Sequence, residues 1–328
     1  MATVTILLPT YERPRYLEIA IASALAQSYG DFVLSIGDNG ANRDAEHVVR
    51  SFDDSRIRYV HRPENLGAMG NWLALLRDAD TPLVATLHDD DAWHEDLLAS
   101  LVPPMVQDRE LAMAYGDFWL MDHEGTRLTD MSVSLSTTTH RDRLPEGRCR
   151  LDRDHGVRLI AVWNAPQPTI CAVVRRDVLT SFEYPDEFAN VSDLWTSYQM
   201  VLRESAIWYV PRRLADYRWH SGSLTLSADH ASEDAMFARL VSENETTPLA
   251  DELLHRWATI RWGRAVNLLR RGRSARAQAQ QEFLAAAPGL RGRRHLVAAS
   301  AGQSATACTA WRGVQWIGDI VSRRACQP

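Results

Sequence analysis

The sequence predicts an α/β fold: a mostly parallel sheet flanked by helices, followed by a C-terminal helical extension. Three observations carry this. Short apolar runs alternate with segments of helical period over about the first 120 residues; that rhythm builds parallel strands covered on both faces. The polar clusters fall just after strand ends, and from about Leu249 the pattern turns helical.

In order, Val4–Leu8 reads as the first strand, ended by Pro9, and Pro14–Gln27 as a helix with Pro near its start. Phe32–Ile36 is the second strand, stopped by Gly37-Asp38-Asn39-Gly40, and Asn42–Ser51 the next helix. Ile57–His61, Leu83–Leu87 and Leu111–Tyr115 are further strands, separated by helices over Ala68–Arg77 and His94–Val106. Ser132–Cys149, polar and rich in Ser, Thr and Arg, reads as a long loop, either a lid, a binding loop or disordered. Thr169–Val174 and Ile207–Val210 are strands around a helix over Ser192–Glu204. The helical tail has Leu253, Leu254, Trp257, Ile260, Ala265 and Leu268 at matching spacing.

Composition narrows the chemistry. All 36 basic residues are Arg, so Schiff-base or P-loop lysine chemistry is excluded. No apolar stretch approaches the roughly 20 residues of a membrane span. No secretion signal is expected at the N-terminus, where Thr3–Leu8 is already strand-like. The four cysteines lie far apart without a CxxC pair, which argues against a zinc or disulfide framework and makes a reducing cytoplasm the default. From Asp251 onward 13 Arg face four acids, a net +9 that leaves −15 for the rest. A solvated helical region is the favoured explanation. Peripheral contact with anionic lipid at the inner membrane face, or a homodimer through these helices, is the sharper one. No nucleic-acid partner is expected, because the basic stretch lacks a binding motif.

The chemistry concentrates in Leu87-His88-Asp89-Asp90-Asp91-Ala92-Trp93. Three adjacent carboxylates repel one another unless a cation or water offsets them. Hard oxygen ligands at a sheet mouth suit Mg²⁺ or Mn²⁺ bridging to a substrate diphosphate. Helix capping explains one or two of these acids but not three. Asp38, beyond the second strand, is either part of an ordinary Asp-Asn-Gly turn or a carboxylate accepting from a base N–H or ribose hydroxyl.

Leu8-Pro9-Thr10-Tyr11-Glu12-Arg13, Gly37-Asp38-Asn39-Gly40, Asn65-Leu66-Gly67 with Asn71, and the acidic run resemble the successive blocks of family 2 glycosyltransferases. The resemblance implies a GT-A fold, Rossmann-like, and a nucleotide-diphosphate-sugar donor. Under it, residues 1–122 form the donor half, 123–248 the acceptor and catalytic-base half of the same domain, and 249–328 the Arg-rich helical region. Thr10 and Tyr11 would cradle and stack on the base, Asp38 would bind it, and Pro9, Glu12, Arg13, Asn39, Asn65, Gly67 and Asn71 would complete the nucleotide-sugar site. Asp90 would ligate the metal, with His88, Asp89 and Asp91 near ribose, sugar or metal. The family's first Asp of the triplet is His88 here, and sliding the register by one residue makes Asp91 the ligand instead.

In the second half, Val191-Ser192-Asp193-Leu194-Trp195 is similar to the family's base region, which implies Asp193 as the catalytic base, with Asp186 and Glu187 as rivals. Tyr217-Arg218-Trp219-His220 followed by Ser resembles the family's Tyr-Arg-x-His, so His220 would complete the metal sphere or touch the diphosphate. Among 11 Trp, Trp195 beside the base is the expected acceptor platform. The acceptor expected is a small molecule, glycan or lipid-linked sugar. The expected reaction is metal-dependent transfer from a nucleotide sugar, inverting or retaining. The rival readings are a sugar-phosphate nucleotidyltransferase, which usually carries the Gly-rich N-terminal loop missing here, and a non-catalytic sugar-binding module.

Overall fold

The computed structural model describes residues 2–220, 230–271 and 275–290. The chain divides into two compact units, Met1–Glu233 and Asp234–Pro328.

The first unit is built on a nine-stranded sheet. Its strands are β1 (Val4–Thr10), β2 (Phe32–Asp38), β3 (Ile57–His61), β4 (Leu83–Thr86), β5 (Ala92–Trp93), β6 (Leu111–Met121), β7 (Gly147–Arg150), β8 (Ala172–Arg175) and β9 (Ala206–Arg218). They lie in the order β3-β2-β1-β4-β8-β6-β9-β5, with β7 also paired to β9. The run from β3 to β4 is parallel, β8 opposes its neighbours β4 and β6, and β6 and β9 are again parallel. The sheet is therefore mostly parallel, as expected. Its inner strands are apolar on both faces because both are covered: Val4, Ile6, Leu7, Leu8, Leu34 and Ile36 are all fully buried.

The connecting helices are α1 (Pro14–Leu25), α2 (Asp44–Arg50), α3 (Gly67–Asp78) and α4 (Leu97–Gln107). Helix α1 starts on Pro14 and buries Leu17, Ala20, Ile21 and Ala24, the stripe its spacing predicts. Helix α4 begins three residues later than expected, because Ala92–Trp93 are drawn into β5 and His94 donates its backbone N–H to Leu214 O at 2.9 Å.

One expectation is corrected. The polar stretch read as a long loop from Ser132 to Cys149 folds into α5 (Thr129–Thr138), a 3-10 turn (Arg141–Arg143) and β7. Its hydroxyls satisfy the backbone locally: Ser132 Oγ donates to Leu128 O and accepts from Leu120 N–H, and Thr138 and Thr139 donate to carbonyls one turn back. Polar composition there marks internal bonding rather than irregular chain. Short helices α6 (Arg153–Val157) and α7 (Arg176–Thr180) follow, then α8 (Ser192–Leu202).

Strands β6 and β9 are long, with register irregularities around Gly116 and Asp117. A Cβ at Gly116 would lie 3.0 Å from Arg212 O, so glycine permits that approach. Beyond the irregularity β6 and β9 run on together, and β5 adds to β9 by pairing Ala92 with Asp216. This brings the segment after β4 beside the last residues of β9.

Helix α9 (Ala231–Glu243) leads into the second unit, where α10 (Leu249–Arg271) and α11 (Arg276–Ala286) pack around Trp262, Ala265, Leu269, Ala279 and Phe283. Asp234 there accepts from Trp257 Nε1 at 3.1 Å and Arg264 at 2.9 Å, and also pairs with Arg261. Among the described residues past Leu249 the chain is helical over Leu249–Arg271 and Arg276–Ala286; the basic residues beyond 290, with Cys308 and Cys326, lie outside the described residues. Among the described residues, no helix is long and apolar enough to cross a membrane.

Candidate active site

The acidic run hangs from the C-terminal end of β4. Leu87 N–H still donates to Leu7 O at 3.0 Å, then a tight turn closes as Asp91 N–H reaches His88 O at 3.2 Å. Asp89, Asp90 and Asp91 are all buried. Three buried like charges require partners, and all three have them, Arg13 serving two. Asp89 accepts from Thr10 Oγ1 at 2.8 Å, Tyr11 N–H at 3.2 Å and Arg13 at 3.1 Å. Asp90 Oδ2 takes Arg13 at 2.7 Å and faces His220 Nε2 at 2.9 Å. Asp91 Oδ1 accepts Arg218 N–H at 2.8 Å, and Oδ2 lies 3.3 Å from His88 Nδ1.

Burial and the neighbouring Asp90 charge raise the pKa of Asp89, against Arg13 and Thr10. Burial likewise pushes Asp91 up to about 6, although His88 opposes it. For His88, burial on its own lowers the pKa; the bond to Asp91 and the surrounding carboxylate charges outweigh it and push the imidazole up to about 9. The carboxylates around His88 thus favour its protonated form while no cation is bound.

Across the sheet, Thr10, Asp38 and His61 are ladder partners at the ends of β1, β2 and β3. Asp38 is 1% exposed. Its Oδ1 accepts Gly40 N–H at 2.9 Å, while Oδ2 takes Tyr59 OH at 2.7 Å and lies 3.3 Å from His61 Nδ1. Tyr59 and His61 were not singled out from sequence; the signal was their two-residue spacing in a strand whose end ranks beside Asp38. Tyr11 is 48% exposed beyond Thr10, leaving its ring face open, whereas Glu12 holds a left-handed backbone, φ 53°. Pro9 lies within β1 opposite Gly37.

The remaining polar residues of these blocks tie the loops together. Asn39 Nδ2 donates to Asn65 Oδ1 at 2.6 Å and to Gly67 O at 3.2 Å, and its Oδ1 accepts Leu66 N–H. Gly67 has φ 72°, a backbone conformation suited to glycine. Asn71, 1% exposed, donates to Gly37 O at 2.7 Å.

One cluster among the described residues could hold a divalent cation. His88, Asp90 and Asp91 each offer a ligand atom within 4.8 Å of the others. Asp90 Oδ2 and His220 Nε2 are 2.9 Å apart, at hydrogen-bond distance. His220 also packs against Tyr16, ring centroids 5.4 Å apart, and Arg218 lies over the same Tyr16 ring at 4.6 Å.

Asp193 stands half-buried in the first turn of α8, its Oδ1 accepting Leu194 N–H at 2.8 Å. Burial raises its pKa, against backbone N–H groups and the positive charge of His88, whose field reaches it. The rivals Asp186 and Glu187 are exposed in a 3-10 turn. Trp195 is 3% exposed, stacks on Phe188 at 4.5 Å and donates its indole N–H to Glu183 O. Its ring is packed into the interior, whereas Trp219 is 38% exposed. Asp193 and Trp195 lie two apart on α8, where side chains do not face each other.

A mostly parallel sheet with an acidic cluster at its strand ends is the arrangement of the GT-A class, and the family match places the chain there. The family profile for Glycosyl transferase family 2 matches residues 5–179, and the chain belongs to that family. It is similar to WfgD of Escherichia coli, a UDP-Glc:alpha-D-GlcNAc-diphosphoundecaprenol beta-1,3-glucosyltransferase, 26% identical over 120 residues, which are 37% of this chain and 47% of WfgD. The chain spans about half the length of the curated relatives it matches. Among solved structures, TarS 1-349 of S. aureus superposes with TM-score 0.63 at 12% identity, covering 96% of this chain and 92% of that one. TarS 1-349 is also known in complex with UDP-GlcNAc. Mannosyltransferase PcManGT from Pyrobaculum calidifontis, in complex with GDP-Man and Mn²⁺, gives TM-score 0.52 at 16% identity, with 96% and 84% covered. At such identities these structures establish the shared fold alone.

Proposed function

We propose that this protein transfers a sugar from a uridine-diphosphate sugar to an acceptor hydroxyl, with inversion, in assembly of a cell-surface glycan or a specialised metabolite. The observation that carries the reading is the link Thr10–Asp89–Arg13–Asp90–His220, which joins the ends of β1, β4 and β9 into one charged site. Asp90 with His220, or with His88 and Asp91, holds Mn²⁺ or Mg²⁺. When bound, that cation offsets the charge growing on the departing diphosphate. Tyr11 stacks on the base, and Arg13 turns from the carboxylates to the phosphate oxygens. Asp193 removes the acceptor proton as the hydroxyl oxygen bonds to the anomeric carbon, and the bond from that carbon to the diphosphate oxygen breaks.

The acceptor class is proposed from WfgD, whose name specifies a diphosphoundecaprenol-linked sugar. The test is thermal stabilisation by a panel of nucleotide sugars with and without Mn²⁺. A metal-dependent rise in Tm with a UDP-sugar supports the reading, and no shift with any uridine, guanosine or thymidine donor overturns it.

A further inference from the structure

Three separate stretches of the chain meet at the ring of Tyr16. This residue sits in the first turn of α1, three positions after Arg13, and lies outside the stripe that α1 buries. Its hydroxyl donates to His123 O at 3.2 Å, in the turn after β6. That turn is braced from within, because Asp122 Oδ1 accepts the N–H groups of Glu124 and Thr126, both at 2.9 Å. The Arg218 guanidinium lies 4.6 Å from the centre of the Tyr16 ring and donates to the same His123 carbonyl at 3.3 Å. Tyr16 is therefore held at its tip and covered on its face.

The ring of His220 packs on this anchored tyrosine, centroids 5.4 Å apart and planes tilted by 51°. These contacts close a circuit with the acidic run. Arg13 reaches Asp90 at 2.7 Å, Asp90 Oδ2 faces His220 Nε2 at 2.9 Å, and His220 leans back on Tyr16.

A bond at Nε2 places one atom of an imidazole but leaves its plane undetermined, because the last histidine torsion is broad. An aromatic ring packed beside it removes that freedom. A site that must present a ligand atom accurately needs such a locked rotamer.

We propose that Tyr16 is a positioning residue of the donor site, setting the plane of His220 against Asp90. It acts through His220 and is not itself a ligand. The proposal rests on the reading above, which puts His220 at the donor's diphosphate and its cation.

The experiment is calorimetry of UDP binding in Mn²⁺ to the full chain, as wild type, Tyr16→Leu, Tyr16→Phe, His220→Ala and the Tyr16→Leu, His220→Ala double variant. Tyr16→Leu should weaken binding about tenfold, the scale of coupling between residues in contact. Tyr16→Phe keeps the ring and should restore most of the affinity. In the His220→Ala background, Tyr16→Leu should cost nothing further, an outcome that a ring serving only stability would not produce. In the wild type, NOEs between the Tyr16 and His220 rings should survive saturation with Mg²⁺ and UDP, a readout that needs no variant. Wild-type affinity in Tyr16→Leu, losses that multiply in the double variant, or disappearance of those NOEs overturns the role of Tyr16 and leaves the donor reading standing. Unchanged binding in His220→Ala overturns both the role of Tyr16 and the placement of His220, and a wild type that binds no UDP overturns the donor reading as well.

Discussion

Arg218 and Asp91 are joined by a backbone N–H to carboxylate bond of 2.8 Å across 127 residues of chain. The same Arg218 donates through Nε to Asp90 O at 2.7 Å and through its terminal nitrogen to the carbonyls of Asp122 and His123. The end of β9 therefore fixes the backbone of the acidic run and the turn after β6 together. Arg218→Lys keeps the charge but loses the fork that serves three carbonyls. The variant should lose about 1–3 kcal/mol of stability in urea titration and bind Mn²⁺ plus UDP more weakly. Wild-type affinity in a destabilised variant would show that the clamp serves folding alone.

Gly37 matters for a packing reason. A Cβ there would overlap Asn71 Oδ1 and lie 3.1 Å from Leu75, in a fully buried spot. Relief means turning the Asn71 side chain away, which breaks its bond to Gly37 O, or shifting α3. Gly37→Ala should cost about 1–3 kcal/mol in equilibrium denaturation. Unchanged stability would mean that Asn71 or α3 yields freely at this contact.

Much of this was legible in the chain. Strands β1, β2 and β4 announce themselves as short unbroken apolar runs because they are buried on both faces. The acidic run stands out because charge directly after such a run is electrostatically expensive. Long-range register was not legible. Nothing local says that Arg218 meets Asp91, or that His61 ranks beside Asp38, since strand order is set by packing of the whole sheet. The segment from Thr129 to Arg150 misled for another reason: Ser132 and Thr139 read as loop residues, yet both are buried and bonded to their own helix.

Asp193 should separate function from stability. Burial raises its folded-state pKa, so folding favours the protonated form. That stabilisation is present at low pH and is lost as the pH rises through the raised value, which makes ionised Asp193 a cost near neutrality. Asp193→Asn should therefore be no less stable than wild type at pH 7 and keep donor binding. Its turnover should fall by about 10²–10⁴. In the wild type, the acid limb of kcat/KM should lie above about 4, the ordinary aspartate value. Near-normal transfer by the Asn variant would transfer the base role to another residue.

Arg13 bridges Asp89 Oδ1 at 3.1 Å and Asp90 Oδ2 at 2.7 Å, and so occupies the carboxylates a divalent cation would use. The guanidinium and the cation then compete for Asp90. Arg13→Gln leaves two buried carboxylates short of a positive partner, and should lower stability without metal by about 1–3 kcal/mol. Added Mn²⁺ supplies the missing charge without having to displace Arg13, so it should raise the variant's Tm by more than it raises that of the wild type. Binding of UDP should weaken in the same variant, because the phosphates lose a cationic contact. Scanning calorimetry of both proteins over a Mn²⁺ series checks this directly. Equal shifts in the two proteins would show that Arg13 and the cation do not share Asp90, and would move the metal toward Asp91 and His88.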